Sequence, residues 1–147
     1  MVGAIKFERF GGPEVLTYTE VTVPEPGPGE ARIAHSAIGL NFIDAYYREG
    51  LYPITLPSGL GSEGAGTVVA VGAGVEHVRP GDRVAYTSPP PLGSYAEERV
   101  IDARASAATG ERIPGRYSVL GAPGISPWCA SDDWPIWLAA TACAMPR

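Results

Sequence analysis

The sequence predicts a mainly β fold with short helices, a closed or partly closed β-barrel followed by an irregular C-terminal tail. Three observations carry this. The 19 Gly and 15 Pro put turn-formers along the whole chain and leave little room for long helices. Between them recur about six short runs rich in β-branched and aromatic residues, at the close spacing of all-β folds. The pattern stops near Asp102: both Cys and all three Trp lie beyond it.

The elements follow in order. "AIKFERF" (Ala4–Phe10) and "VLTYTEVTV" (Val15–Val23) read as strands bounded by turn signals. "PEPGPGE" is a stiff turn. "ARIAHSAIG" alternates roughly with period two, as a half-buried strand does. "NFIDAYYREG" predicts a helical turn or two, with Asp44 and Arg48 at i,i+4 and Gly50 as its stop. "TVVAVG" is a strand. "RPGDRVAY" places a tight Pro80-Gly81-Asp82 turn before another, in which Asp82 reads as a turn-stabilising carboxylate. "GSYAEERVI" (Gly93–Ile101) closes the series.

Bulk properties exclude several function classes. A net charge of −5 disfavours a nucleic-acid partner. No window reaches the roughly 18 uncharged apolar residues of a membrane helix, and no start resembles a signal peptide. A cytoplasmic protein with no membrane partner is therefore expected. Two cysteines, Cys129 and Cys143, make no disulfide framework.

The stretch "SGLGSEGAGTVVAVG" contains Gly59-x-Gly61-x-x-Gly64, the spacing of a dinucleotide-binding fingerprint. That motif works only between a strand and a helix whose N-terminus holds the pyrophosphate. Here Pro53 and Pro57 break the lead-in, and Thr67, Val68, Val69 and Val71 disfavour a helix after it. The glycines read instead as a turn entering a strand. Glu63, set among small residues, reads as a partly buried brace for that turn.

With its neighbours, the stretch has another meaning. "GLGSEGAGTVVAVGAGVEHVRPGDRVAY" resembles the G-x-E-x-x-G-x-V-x-x-V-G…G-D-R-V core of the medium-chain dehydrogenase/reductase superfamily. "GGPEVL", "AIGLNFIDAYYREGLYP" and "LPSGLGSE" are similar to its quinone oxidoreductase, zeta-crystallin-like branch. The resemblance covers about residues 1 to 102 and implies an N-terminal GroES-like barrel domain. It also implies NADPH as cofactor, a quinone or enone as substrate, and a homodimer for the full-length family.

Zinc-dependent members of the superfamily carry a Cys and a His where this chain has Asn41 and Ser62. Neither replacement is a useful zinc ligand. His77 sits in a turn and reads as solvated; His35 lies on a strand and reads as a surface or satisfied residue. A zinc-free chain is expected. Hydride transfer to a conjugated carbonyl needs no strong Lewis acid if neutral donors hold the carbonyl oxygen. By resemblance, Asn41, Tyr46 and Tyr52 form the catalytic, substrate-facing set. Asn41, Phe42, Ile43, Asp44 and Arg48 are the cofactor-side set. From the residues alone, Tyr46 and Tyr47 on a short helix would pack in a core. The resemblance moves Tyr46 and Tyr52 to the cleft and leaves Tyr47 undecided.

Residues 103–147 offer no strand–glycine loop–helix unit. The expectation is an atypical tail, out of frame or disordered, in a chain without the family's Rossmann domain. The ten Arg against one Lys fit GC-rich coding, in which a frameshift gives such a departure. Activity of this chain is then in question. The alternatives are a non-enzymatic GroES-like binding module and a non-functional truncated product. A co-chaperonin role would need a mobile apolar loop and a ring-forming edge, and neither is legible.

Overall fold

The computed structural model describes residues 1–108. They form two antiparallel sheets. In the first, β1 (Val2–Phe7) lies between β2 (Thr17–Val21) and the two-residue β4 (Ser58–Gly59). In the second, β3 (Glu30–Ile38), β5 (Glu63–Val71), β6 (Arg83–Thr87), β7 (Glu98–Asp102) and β8 (Ser106–Ala108) run in the order β7-β3-β5-β6-β8. The sheets do not close on each other, so the barrel is partly open. The segment from Tyr95 to Glu97 links them. Ile5 donates to the Tyr95 carbonyl at 2.7 Å, Glu97 to Gly3 at 2.9 Å, and His35 to Glu97 at 2.8 Å. The single α-helix among the described residues is α1 (Phe42–Arg48).

The expected strands are all present with shifted ends, and β5 starts four residues before the expected Thr67. The largest difference is the last, where only Glu98–Asp102 of Gly93–Ile101 joins the sheet as β7. Residues 93–97 instead leave the ladder to touch β1 and the glycine turn at Gly61. Two small strands, β4 and β8, gave no sequence signal because so few residues carry no periodicity. Ordered structure runs past Asp102, through a 3-10 turn at Ala103–Ala105 into β8. Residues 109–147, where most of the expected tail falls, lie outside the described residues.

Burial on β3 shows how alternation builds the core. Ala31, Ile33 and His35 face inward with period two, and then Ile38 does, out of phase. A register shift between His35 and Ala37 accounts for it, because one extra residue turns the other face of a strand inward. The main cluster packs Ala31 and Ile33 with Val68, Val78, Val84, Tyr86 and Ile101. A second cluster, with Phe7, Val15, Ile38, Leu60, Leu92 and Tyr95, takes Tyr47 of α1 against it. Gly66 is required where β3 and β5 meet: a Cβ there would overlap the Ala34 carbonyl.

His35 is buried and satisfied. Its Nδ1 lies 2.6 Å from the Ala96 carbonyl and its Nε2 2.7 Å from Tyr86 Oη. Tyr86 Oη in turn contacts Ser94 Oγ at 2.9 Å, and Arg99 donates to Ser94 Oγ at 3.2 Å and to the Pro91 carbonyl at 3.0 Å. A carbonyl only accepts, so Nδ1 carries the ring proton and Nε2 accepts from Tyr86. Burial lowers the His35 pKa to about 4; the Ala96 carbonyl opposes this and the nearby Arg99 charge adds to it. His77 is exposed and bonds the Ala103 carbonyl at 2.7 Å. Asp82 accepts from the Arg79 amide at 3.0 Å and so closes the Pro80-Gly81 turn, in which Gly81 has φ +95°.

Candidate functional site

The sequence "LNFIDAYYREGLY" begins a helix because Asn41 is a good N-cap and Asp44 falls three residues later, a capping box. The Asn41 backbone N–H donates to Asp44 Oδ2 at 2.9 Å and the Asp44 backbone N–H to the Asn41 backbone carbonyl at 3.0 Å. The helix stops at Gly50, where φ is +81°. The chain then folds back: Leu51 donates to the Tyr46 carbonyl at 2.8 Å. That return brings the Tyr52 ring edge-on to Tyr46, centroids 5.9 Å apart, and against Tyr47 at 5.6 Å.

The result is an aromatic and apolar face on the outside of α1. Phe42 is 81% exposed, Ile43 39%, Tyr46 40% and Tyr52 43%. These large apolar side chains are exposed on and just after α1. Half-buried Asn41 stands at its edge with the one side-chain amide of the group. Of the expected site residues, Phe42, Ile43, Tyr46 and Tyr52 are exposed, with Tyr46 and Tyr52 in ring contact, and Asn41 is half-buried at the start of the helix. Tyr47, left undecided by the sequence, packs toward the second core cluster.

The other two expected residues point elsewhere. Asp44 is 1% exposed. Its Oδ2 also accepts from Tyr95 Oη at 3.0 Å. Burial pushes its pKa up; the Asn41 amide, the Tyr95 hydroxyl and the Gly61 amide hold it down. Arg48 turns to the far side of α1. Its Nε donates to the Gly11 carbonyl at 3.0 Å while the Gly11 amide donates to the Arg48 carbonyl at 3.1 Å, and Nη2 pairs with Glu49. Both side chains brace the helix and neither reaches its exposed face.

Sequence reasoning passed over Tyr95. Its partner Asp44 lies 51 residues away, and no local spacing reports such a pair. The glycine motif is where they meet. Gly61, at φ +90°, accepts from the Gly93 and Ser94 amides at 3.0 and 3.1 Å, and a Cβ on it would run into the Tyr95 ring. Past Gly61 the chain enters β5, not a helix, so the three glycines do not form a pyrophosphate cradle. Glu63, first residue of β5, is 3% exposed beneath Gly39, whose missing Cβ leaves it room. Among the described residues no group of three His, Cys, Asp or Glu could hold a metal ion, and no helix is long and apolar enough to cross a membrane.

Residues 27–111 match the family model of the alcohol dehydrogenase GroES-like domain. A quinone oxidoreductase of Pseudomonas aeruginosa is 58% identical over 102 residues, covering 69% of this chain and 31% of the relative. The crystal structure of Escherichia coli quinone oxidoreductase complexed with NADPH superposes with a TM-score of 0.70 at 48% identity, over 72% of this chain and 32% of that one. A Pseudomonas syringae quinone oxidoreductase gives 0.73 at 48% identity, over 78% and 35%. The chain thus spans about a third of the length of the relatives it matches.

Proposed function

The chain belongs to the alcohol dehydrogenase GroES-like domain family, on the quinone oxidoreductase branch of the medium-chain dehydrogenase/reductase superfamily, and on that premise we propose that it forms the substrate-side wall of a zinc-independent, NADPH-dependent reductase of quinones or related conjugated carbonyls. The observation that carries the reading is Asn41, a neutral amide donor fixed at the N-cap of α1 beside the exposed Phe42, Ile43, Tyr46 and Tyr52.

Each residue has a physical role in that reading. Tyr46 and Tyr52 offer ring faces and edges to a flat acceptor. The Asn41 carboxamide donates to the acceptor's carbonyl oxygen, where negative charge grows on reduction, and a fixed donor there lowers the barrier. Phe42 and Ile43 give an apolar ledge that suits the nicotinamide ring. The fit stops at that end: among the described residues the glycine turn leads into β5 and provides no helix N-terminus for phosphates. NADPH, when bound, supplies the hydride; this chain orients the acceptor and keeps water from its ring.

The test is a pair of titrations on the purified chain. Duroquinone, whose methyl groups resist side reactions, is expected to perturb the Asn41 side-chain amide and the Tyr46 and Tyr52 resonances. NADPH fluorescence is expected to report weak or undetectable binding. A quinone that leaves those three residues untouched sinks the reading. Micromolar NADPH binding would show instead that the phosphates find a site within this chain.

A further inference from the structure

We propose that Asp44 and Tyr95 act as a positioning pair that aims Asn41 at the substrate, a reading that rests on the function proposed above. One buried carboxylate oxygen, Asp44 Oδ2, receives both the Asn41 backbone N–H at 2.9 Å and Tyr95 Oη at 3.0 Å. Those two donors arrive from different parts of the fold. Asn41 opens α1. Tyr95 sits on the segment that stitches β1 to β3, through Ile5 and through neighbouring Glu97. The Tyr95 amide also donates to the Leu60 carbonyl at 2.9 Å, and its ring fills the space above Gly61.

The arrangement makes a rigid path from the sheets to the Asn41 backbone, from which its side chain projects. Helix α1 is only seven residues long, so its own hydrogen bonds cannot fix the angle at which it leaves β3. The carboxylate does so from beneath, at the one residue whose side chain must meet substrate. A carboxylate 1% exposed is costly unless several donors hold it. The groups facing it are the Asn41 and Gly61 amides and the Tyr95 hydroxyl, and no ion pair among the described residues includes it. Arg48, one turn along α1, is engaged with Gly11 and Glu49. Asp44 therefore acts through Asn41 and not by touching substrate or cofactor.

The experiment is nitrogen-resolved NMR of the full chain as pH is varied, on the native protein, Tyr95→Phe and Asp44→Asn. In the native protein the Asn41 amide shift is expected to follow the Asp44 carboxyl, with a midpoint above the ordinary carboxylate range. Tyr95→Phe removes one donor to the carboxylate, so the midpoint rises further and Asn41 amide exchange quickens by about tenfold, the equivalent of one good hydrogen bond. Asp44→Asn abolishes the titration. Tyr95→Phe keeps the ring, so folding is preserved if Asp44→Asn fails. Duroquinone titration of Tyr95→Phe is then expected to weaken the perturbation at Asn41 more than at Tyr46 and Tyr52. An Asn41 amide indifferent to pH, or unmoved by Tyr95→Phe while the β1 amides stay native, overturns the pair. If native chain ignores duroquinone but Asn41 follows Asp44, the functional reading fails and the positioning of Asn41 stands.

Discussion

Tyr86 Oη lies 2.7 Å from His35 Nε2, fully inside the barrel and 51 residues away in sequence. The contact ends a line of donors that starts at Arg99, passes through Ser94 and Tyr86, and finishes with His35 donating to Ala96. Each member satisfies the next, so the bonds of the network strengthen one another.

Tyr86→Phe keeps the ring and removes the hydroxyl, leaving His35 Nε2 without a donor and the Ser94 hydroxyl with Arg99 as its one remaining partner in the network. A loss of about 1–3 kcal/mol is expected, read from the urea midpoint at constant slope. A change below a few tenths would mean that water replaces the hydroxyl.

The same histidine gives the barrel a pH dependence. Its pKa is about 4 when folded, against an ordinary histidine value of 6.5. The folded form is therefore neutral where the unfolded chain already binds a proton. Stability is unaffected above about pH 6.5 and falls as pH drops from there to about 4, by roughly 3 kcal/mol for this group. Ring NMR of His35 is expected to show the Nδ1–H neutral form through that range. Titration near the ordinary histidine value would refute this.

Gly61→Ala and Gly74→Ala separate two effects of a glycine. Both sites have positive φ, +90° and +80°, but only at Gly61 would a Cβ meet neighbours, the Tyr95 ring first and then Ser94 Cβ. Gly74→Ala is expected to cost about 1 kcal/mol, the strain of a left-handed residue. Gly61→Ala should cost clearly more and shift the Tyr95 resonances. Equal losses in thermal unfolding would mean that the ring moves aside freely.

Asn41→Asp tests the donor without disturbing the helix. Asp caps as well as Asn but accepts only when ionised, and a negative charge would face the carbonyl oxygen. Unfolding is expected to be nearly unchanged, while duroquinone affinity falls by about tenfold or more, the equivalent of one lost hydrogen bond. Unchanged affinity would remove Asn41 from the site.

Much was legible in the sequence because it depends on neighbours along the chain. Alternation marked β3, β-branched runs marked β5 and β6, and Pro80-Gly81-Asp82 marked a turn that Asp82 closes as expected. The capping residues and Gly50 bracketed α1 within a residue or two. The glycine motif was correctly separated from a nucleotide loop, since the β-branched residues after it form a strand.

The tertiary structure decided what distance along the chain conceals. Asp44 and Arg48 share a helix with Tyr46, yet their side chains leave its exposed face, one for Tyr95 and the other for Gly11. Helical spacing tells which residues are neighbours on a helix, but not which side the sheets will cover. Residues 93–97 look like strand and serve as a strap, because their amides go to Gly61, Leu60, Ser94 and Gly3, and only the single bridge of Ala96 to Ala4 pairs them with a strand. The sequence by itself determined the longer strands, the turns and the family. Packing determined which of the helix's polar side chains meet solvent and which are buried to hold Asn41 in place, since burial is set by the elements that close over a residue and not by its neighbours in the chain.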